Sequence, residues 1–455
     1  MGEGPLWAQT AQELSALYRK GAATPEQALD SVMQRIEEVN PALNAVVTLD
    51  LPGARDAAQA AGRRIRSGQA HGPLDGVPIT VKDNLFVQGL RATWGSRLFA
   101  DFIAERDDLP VARLRRAGVV IVGKTNTPEL ALSGYTDNPV FGATGNPWAP
   151  PLSPGGSSGG AAAAIASGCG PLAVATDAGG SIRRPSGHTG VAGLKPGLGR
   201  VPRRFGFPAL AHDLQVIGPV ARCVDDLRAA FACIAVPAAA PEDAPRRLRI
   251  GCFGTIGDAP VEPAVTVAFR TACAILRDLG HRVQDIAPIW DPEEANSLFA
   301  ALSSAGVARV MAGAADWPDR VTPAIADLAR KGATLGAADY VATLDRVAAF
   351  RWRLHDAVAG WDVIATPASP AVAWPRREPF PATIAGQPAA PRAASAFSTA
   401  INLGGLPAVV VPAPVDSGSL PAGLQLIGPM GAEEALLDLA AAFERSSPWP
   451  RLAPI

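Results

Sequence analysis

Histidine is scarce in this chain. Five are spread over 455 residues, at positions 71, 188, 212, 281 and 355, with no H-E-x-x-H and no pair one helical turn apart. That spacing excludes the usual helix-borne zinc site. Cysteine is equally sparse, and Cys169, Cys223, Cys233, Cys252 and Cys273 form no C-x-x-C, so the pattern builds neither a zinc ribbon nor a disulfide framework. Five unpatterned thiols suit a reducing, cytoplasmic setting. The formal net charge is only −1, which leaves no strong field to draw in nucleic acid or an anionic membrane. The one long uncharged stretch, residues 159–176, is broken by Gly168, Gly170 and Pro171, and reads as a buried Ala-rich helix followed by a strand rather than a membrane span. Met1-Gly2-Glu3-Gly4-Pro5 lacks the basic start and apolar run of a signal peptide. No internal repeat is visible. These absences are consistent with a soluble enzyme, with no metal and no cofactor expected.

Glycine and serine are what the chain has in its place. The run Gly155-Gly156-Ser157-Ser158-Gly159-Gly160 and the run Gly179-Gly180-Ser181-Ile182-Arg183 both follow a lone lysine in Val77-Pro78-Ile79-Thr80-Val81-Lys82-Asp83-Asn84. A serine hydroxyl is a weak nucleophile at neutral pH and needs a base. Lysine can be that base only when uncharged, and its ordinary pKa of about 10.4 works against this unless burial disfavours the ammonium. Alternating Val77, Ile79 and Val81 deliver Lys82 to a strand end, a way of aiming one lysine into a dry site. Consecutive amides in Ala178-Gly179-Gly180-Ser181, with few side chains in the way, are suited to converge on a single oxygen, as an oxyanion hole requires. Taken alone, Lys82 reads as a solvated strand end and either glycine run as a turn; only the three together point to catalysis.

Two other motifs match by letter and fail by context. Gly118 to Thr125 fits G-x-x-x-x-G-K-[ST], but Val119-Val120-Ile121-Val122 reads as a buried strand, and Asn126-Thr127-Pro128 follows where a phosphate loop needs a helix. Gly155 to Gly159 fits the nucleophile elbow G-x-S-x-G. The segment before it, 146–154, holds Pro147, Pro150, Pro151 and Pro154, which forbid a central strand, and no histidine has the setting of a partner. His188 lies near Ser181 in sequence, with packing or hydrogen bonding its expected role.

The three segments together resemble the amidase signature family. Ser157 lies 75 residues after Lys82, and Ser181 a further 24 on, intervals in keeping with the likeness. It continues through Lys124 to Glu129, Phe141 to Trp148, Gly193 to Pro196 and Gly218 to Arg222, and returns at Asn402 to Ala408 and Gly423 to Gly428. It thins between about 235 and 390. Cys223 departs from the usual Ser or Thr, which touches nothing catalytic. The resemblance implies a triad of Ser181 as nucleophile, Ser157 as relay and Lys82 as base, with a cis peptide at Ser157 and Gly156 before it. It further implies an oxyanion hole from Ala178, Gly179 and Gly180, and supporting roles for Ser158, Asp177 and Arg183. The implied activity is hydrolysis of a carboxamide C–N bond through a Ser181 acyl-enzyme. Two relatives of that activity stay open: the glutamine-hydrolysing A subunit of a tRNA-dependent amidotransferase, and a ureido-type (carboxybiuret- or allophanate-like) hydrolase. A small-molecule amide is the expected partner, with no direct contact to nucleic acid and none to membrane; a homodimer is left open.

Helix and strand signals alternate along the chain. Capping boxes open helices at Thr10 and Thr24, the second expected to stop at Asn40-Pro41. Strands are expected at 44–49, 77–81, 119–122, 172–175, 248–253, 281–286, 363–366, 408–411 and 423–427, and helices at 161–167, 265–279 and 433–443. This argues an α/β fold, a single large mixed β-sheet sandwiched between helices, as the resemblance also implies. The expectation is one domain over 1–455, with a catalytic core at about 70–225 and a variable, pocket-forming region at about 300–395. In that region Trp317, Tyr340, Phe350 and Trp352 are candidate pocket aromatics, and Arg351, Arg353, Arg376 and Arg377 candidate carboxylate ligands. The Pro/Ala-rich stretch 236–245 is expected to link two halves of the fold, and 370–391 to form a long loop beside the site.

Overall fold

The computed structural model describes residues 4–237 and 247–455; of the expected linker, residues 238–245 lie outside the described residues. The strands are β1 Val46–Leu49, β2 Pro78–Lys82, β3 Val120–Thr125, β4 Leu172–Asp177, β5 Ala192–Lys195, β6 Val216–Ala221, β7 Arg249–Cys252, β8 Arg282–Asp285 and β9 Val363–Pro367. After them come the short hairpin β10 Thr383–Ile384 and β11 Gln387–Pro388, then β12 Ala408–Ala413 and β13 Ala422–Ile427. Eleven of these form one sheet in the order β1-β3-β2-β4-β6-β5-β12-β13-β9-β7-β8. It is mixed: β2 runs parallel to both β3 and β4, and β7 to both β8 and β9, while β4–β6 and β12–β13 are antiparallel.

Helices cover both faces, so the central strands are apolar almost throughout. On β2 the pleat turns Ile79 and Val81 into a core shared with Leu172, Val174, Val409 and Leu424. The alternation leaves Thr80 and Lys82 on the opposite face. There the Ala-rich helix Gly159–Ala166 packs on Ala173 and Ala175 of β4. Burying a Val or Ile contributes roughly 1.5–3 kcal/mol, so β2 carries enough apolar burial to hold a lysine at its end.

The helix opened by Thr24 runs Pro25–Leu43, through Pro41 rather than stopping before it, and ends on Asn44 in the left-handed region (φ 50°). The carbonyl that loses its partner at Pro41 is that of Glu37, an exposed residue, so water can satisfy it one turn from the helix end. Strands β5 and β6 carry no strand prediction. Gly218 and Pro219 sit inside β6, opposite Ala175 and Val174 of β4, and a mid-strand Gly-Pro argues against a strand by composition. The expected strand at 119–122 is β3, which extends to Thr125 and takes the phosphate-loop lookalike into the sheet.

Candidate active site

Because β2 and β4 are parallel neighbours, their carboxyl ends open on the same edge of the sheet, the edge at which α/β folds bind ligands. Lys82 ends β2 and is fully buried. Its Nζ lies 2.7 Å from Ser157 Oγ, 2.9 Å from Ser158 Oγ and 3.1 Å from Thr176 Oγ1. Burial pushes the ammonium pKa well below its ordinary value, against a weaker opposing pull from the Asp177 charge. Ser157 and Ser158 arrive from the first glycine run, just ahead of helix Gly159–Ala166. The Gly156–Ser157 peptide is cis. Gly156 packs so tightly on Tyr135 that a Cβ would lie 2.3 Å from its carbonyl oxygen.

The second glycine run is tied down by Asp177, at the end of β4. Its carboxylate accepts from the N–H of Gly180 (2.8 Å) and of Ile182 (2.9 Å), and pairs with Arg183 through Nη2 (2.9 Å) and Nε (3.1 Å). Burial alone would raise the Asp177 carboxyl; the Arg183 charge and hydrogen bonds outweigh it and hold the group far below the usual carboxylate range. Asn402 Nδ2 also donates to Asp177 Oδ1 (3.0 Å), and Arg183 Nη1 donates to Gln425 Oε1 (2.8 Å). Gly180 has φ 111°, and a Cβ there would stand 2.3 Å from Ser398 Oγ, so glycine is required for the turn.

This clamp presents Ser181, partly exposed, to a cavity of about 390 Å³ that Ala178 and Gly179 also border. The Ser158 N–H donates to the Ser181 carbonyl (3.1 Å), which joins the two glycine runs. Of the three amides expected to face an oxyanion, that of Gly180 is turned inward to the Asp177 carboxylate. The N–H groups of Ala178, Gly179 and Ser181 carry no hydrogen bond among the described residues. Removing the charge at Asp177 leaves Arg183 buried without its counter-ion. Asp177→Asn is therefore expected to cost about 3–5 kcal/mol of stability in urea unfolding; a loss under 1 kcal/mol would deny the pair this role.

The cavity wall differs from the one expected. Its aromatics are Phe299, Trp374 and Phe380. Phe350 lies in the core with Tyr340 at the margin of the same cluster, Trp317 packs at the margin of another, and Trp352 is 70% exposed. Arg351 pairs with Asp213, Arg353 with Glu294, and Arg376 donates to backbone carbonyls. The arginines that do border the cavity are Arg184 and Arg392. The 370–391 loop lies beside the site, contributing Trp374, Pro379, Phe380 and Pro391. His188 is buried outside the cavity lining, its Nε2 bonded to the Ala371 carbonyl (3.0 Å); burial, with the Arg184 charge adding to it, pushes its pKa down to about 3, so it is neutral. Lys124 of the phosphate-loop lookalike is buried in β3, where it reaches the Arg91 carbonyl (3.2 Å) and faces Asp83 (3.6 Å). No helix among the described residues is long and apolar enough to cross a membrane.

A buried lysine, two serine loops and a cavity on the carboxyl edge of a mixed sheet make up the architecture of a hydrolytic enzyme. A family model described as Amidase matches residues 27–437. Among curated proteins, the chain is 36% identical over 470 aligned positions to the A subunit of glutamyl-tRNA(Gln) amidotransferase from Roseiflexus sp. (strain RS-1), covering 94% of each chain. It is 35% identical to the corresponding protein of Deinococcus radiodurans, covering 96% of this chain and 97% of the relative. Among solved structures it is similar to a bacterial aryl acylamidase (TM-score 0.89, 26% identity, 98% of both chains). It is also similar to 6-aminohexanoate cyclic dimer hydrolase complexed with substrate (TM-score 0.86, 27% identity, 99% of both chains). The chain belongs to the amidase signature family, and it is an amidohydrolase.

Proposed function

We propose that this amidohydrolase cleaves a small carboxamide through an acyl-enzyme on Ser181, with Ser157 as proton relay and Lys82 as base. The observation that carries the reading is the 2.7 Å contact between Lys82 Nζ and Ser157 Oγ, in a site where Ser181 alone of the three residues borders the cavity. An uncharged amine has two protons and one lone pair, so one of its three neighbours must donate to it. Ser158 Oγ gives its proton to the Thr176 carbonyl (3.0 Å). Of the two that remain, Ser157 is the closer, and its O–H is positioned to donate to Nζ.

As Ser181 attacks the amide carbon, its proton passes to Ser157 Oγ while the Ser157 proton passes to Nζ. The developing oxyanion lies against the free amides of Ala178 and Gly179, with that of Ser181 added. Ser157 then protonates the leaving nitrogen and recovers its own proton from Lys82. Ammonia or an amine departs, and water releases the acid by the same route. Asp177 and Arg183 hold the loop and take no proton. We also propose a single domain, since one sheet draws its strands from residue 46 to residue 427, and a cytoplasmic setting, since all five cysteines are free thiols.

The relatives favour a second reading, a glutamine-hydrolysing chain that works within a multi-chain enzyme. Ammonia release by the purified chain over glutamine, aliphatic, aryl and ureido amides tests both, with Ser181→Ala as control. Turnover of a non-glutamine amide, lost in the control, supports the stand-alone enzyme. Activity on glutamine alone, or only with a partner present, replaces it. The pH profile carries a sign. Burial disfavours charged Lys82, so the base is free at pH values well under its ordinary 10.5 and is lost as pH falls and Nζ takes a proton. The expected kcat/KM rises with pH along a one-proton acid limb to a plateau reached below pH 10.5. A rate still climbing beyond that value would mean an unperturbed base.

A further inference from the structure

Two guanidinium groups stand in the cavity wall, and no carboxylate borders it among the described residues. Every hydrogen bond they make among the described residues goes to an uncharged group. Arg184 donates to the carbonyls of Gly156 (3.0 Å) and Ala394 (3.2 Å) and to Ser395 Oγ (2.5 Å). Arg392 donates through Nε to Asn296 Oδ1 (3.0 Å) and through Nη2 to Thr399 Oγ1 (3.0 Å), and lies over the Phe299 ring at 4.3 Å. Its Nη1 has no partner among the described residues. Both charges sit against the nucleophile loop: a Cβ on Gly179 would lie 3.4 Å from Arg392 Nη2, and one on Gly180 3.4 Å from Arg184 Nη2. The acid whose charge acts on Arg184, Asp177, is already paired with Arg183. Burial lowers Arg392 to about 9, with the Arg184 charge adding to it, and burial lowers Arg184 to about 10; both stay charged at neutral pH and are short of a counter-anion.

We propose that Arg392, with Arg184 beside it, binds a carboxylate carried by the substrate, so that the enzyme acts on monoamides of short dicarboxylic acids. This rests on the amide-hydrolysing reading of Ser181 and names its substrate class. A guanidinium with a free edge, fixed by Asn296, Thr399 and a ring face, is pre-organised for a carboxylate. The same pair of charges repels an ammonium, so glutamine, which carries an α-ammonium as well as a carboxylate, is a poorer fit than an amide of the same length without it.

The test compares malonamate, succinamate and glutaramate with malonamide, succinamide and glutaramide, in which carboxamide replaces the charge, and with glutamine. For the best chain length, kcat/KM is expected to exceed that of the neutral partner by about 100-fold, the worth of two charge-assisted hydrogen bonds, and to exceed that of glutamine. Arg392→Gln should bring charged and neutral substrates within about threefold of each other, chiefly through KM, with Arg392→Lys between. A folding defect would lower both substrates together and leave the ratio unmoved, which overturns the proposal. Calorimetry of malonate, succinate and glutarate with Ser181→Ala separates this reading from the catalytic one. Diacid binding that disappears on adding Arg392→Gln upholds the anion site even if no amide is turned over. Ser181-dependent hydrolysis of the neutral amides with no charge preference and no diacid binding leaves an amidase and removes the anion site.

Discussion

Ser181→Ala is expected to lower amide turnover by roughly 10⁵- to 10⁶-fold, since loss of a covalent nucleophile removes nearly all catalysis beyond binding and oxyanion stabilisation. The fold should be indifferent. Ser181 Oγ makes no hydrogen bond among the described residues and borders the cavity, so its removal leaves no buried group unpaired, and stability should stay within about 0.5 kcal/mol. Ser157 is the instructive contrast: it is 1% exposed and bonded to Lys82, the proposed base, and does not border the cavity. On the proposed mechanism the two serines divide access from activation, and the nucleophile is the one a substrate can reach. Intact-mass measurement during turnover of a slow amide should show the acyl group on the wild-type chain and none on the variant. More than about 1% residual activity, at a level that survives repurification, would move the nucleophile elsewhere.

The reach of the sequence follows from where the chemistry is local. That Lys82 and the two glycine-serine runs come together was legible because glycine runs and a strand-end lysine are short-range signals, and the likeness to a known family supplied their connection. The strands with apolar runs were legible for the same reason, often within one or two residues: 172–175 for Leu172–Asp177, 363–366 for Val363–Pro367. What a local reading missed depends on packing between distant segments. Strand β6 was hidden by Gly218-Pro219, tolerated where β5 pairs only with Val220 and Ala221 and leaves Pro219 outside that ladder. Asn402 and Gln425 stood inside matched motifs, yet nothing local says that they reach the Asp177–Arg183 pair from over 200 residues away. The pocket was read least well. Arginines are mostly surface residues, and no local pattern separates Arg392, drawn inward by Asn296 and Thr399, from Arg376, which ends on backbone carbonyls. One amide in the expected oxyanion trio was also misdirected, because Asp177 takes the Gly180 N–H for the loop itself.

Lys82→Met replaces the proposed base with an apolar chain of similar volume and should lower kcat/KM by roughly 10⁴-fold, the upper range for a general base. The acid limb of the pH profile should vanish from whatever activity remains. Stability supplies an independent readout with a definite sign. In the unfolded chain this lysine is protonated below about pH 10.4; in the fold, burial keeps it uncharged to much lower pH. The unfolded state therefore binds the extra proton, and each pH unit downward costs the wild type about 1.4 kcal/mol until the folded group also protonates. Methionine has no proton to bind, so the variant should gain on the wild type as pH falls through that window. Its hydrogen-bond loss is confined: Ser158 keeps the Thr176 carbonyl and Thr176 keeps Asn84, while Ser157 alone is stranded. If the stability difference between the two proteins is flat from pH 10 to pH 7, Lys82 is charged in the fold. It cannot then accept the Ser157 proton, and the site would need a different base.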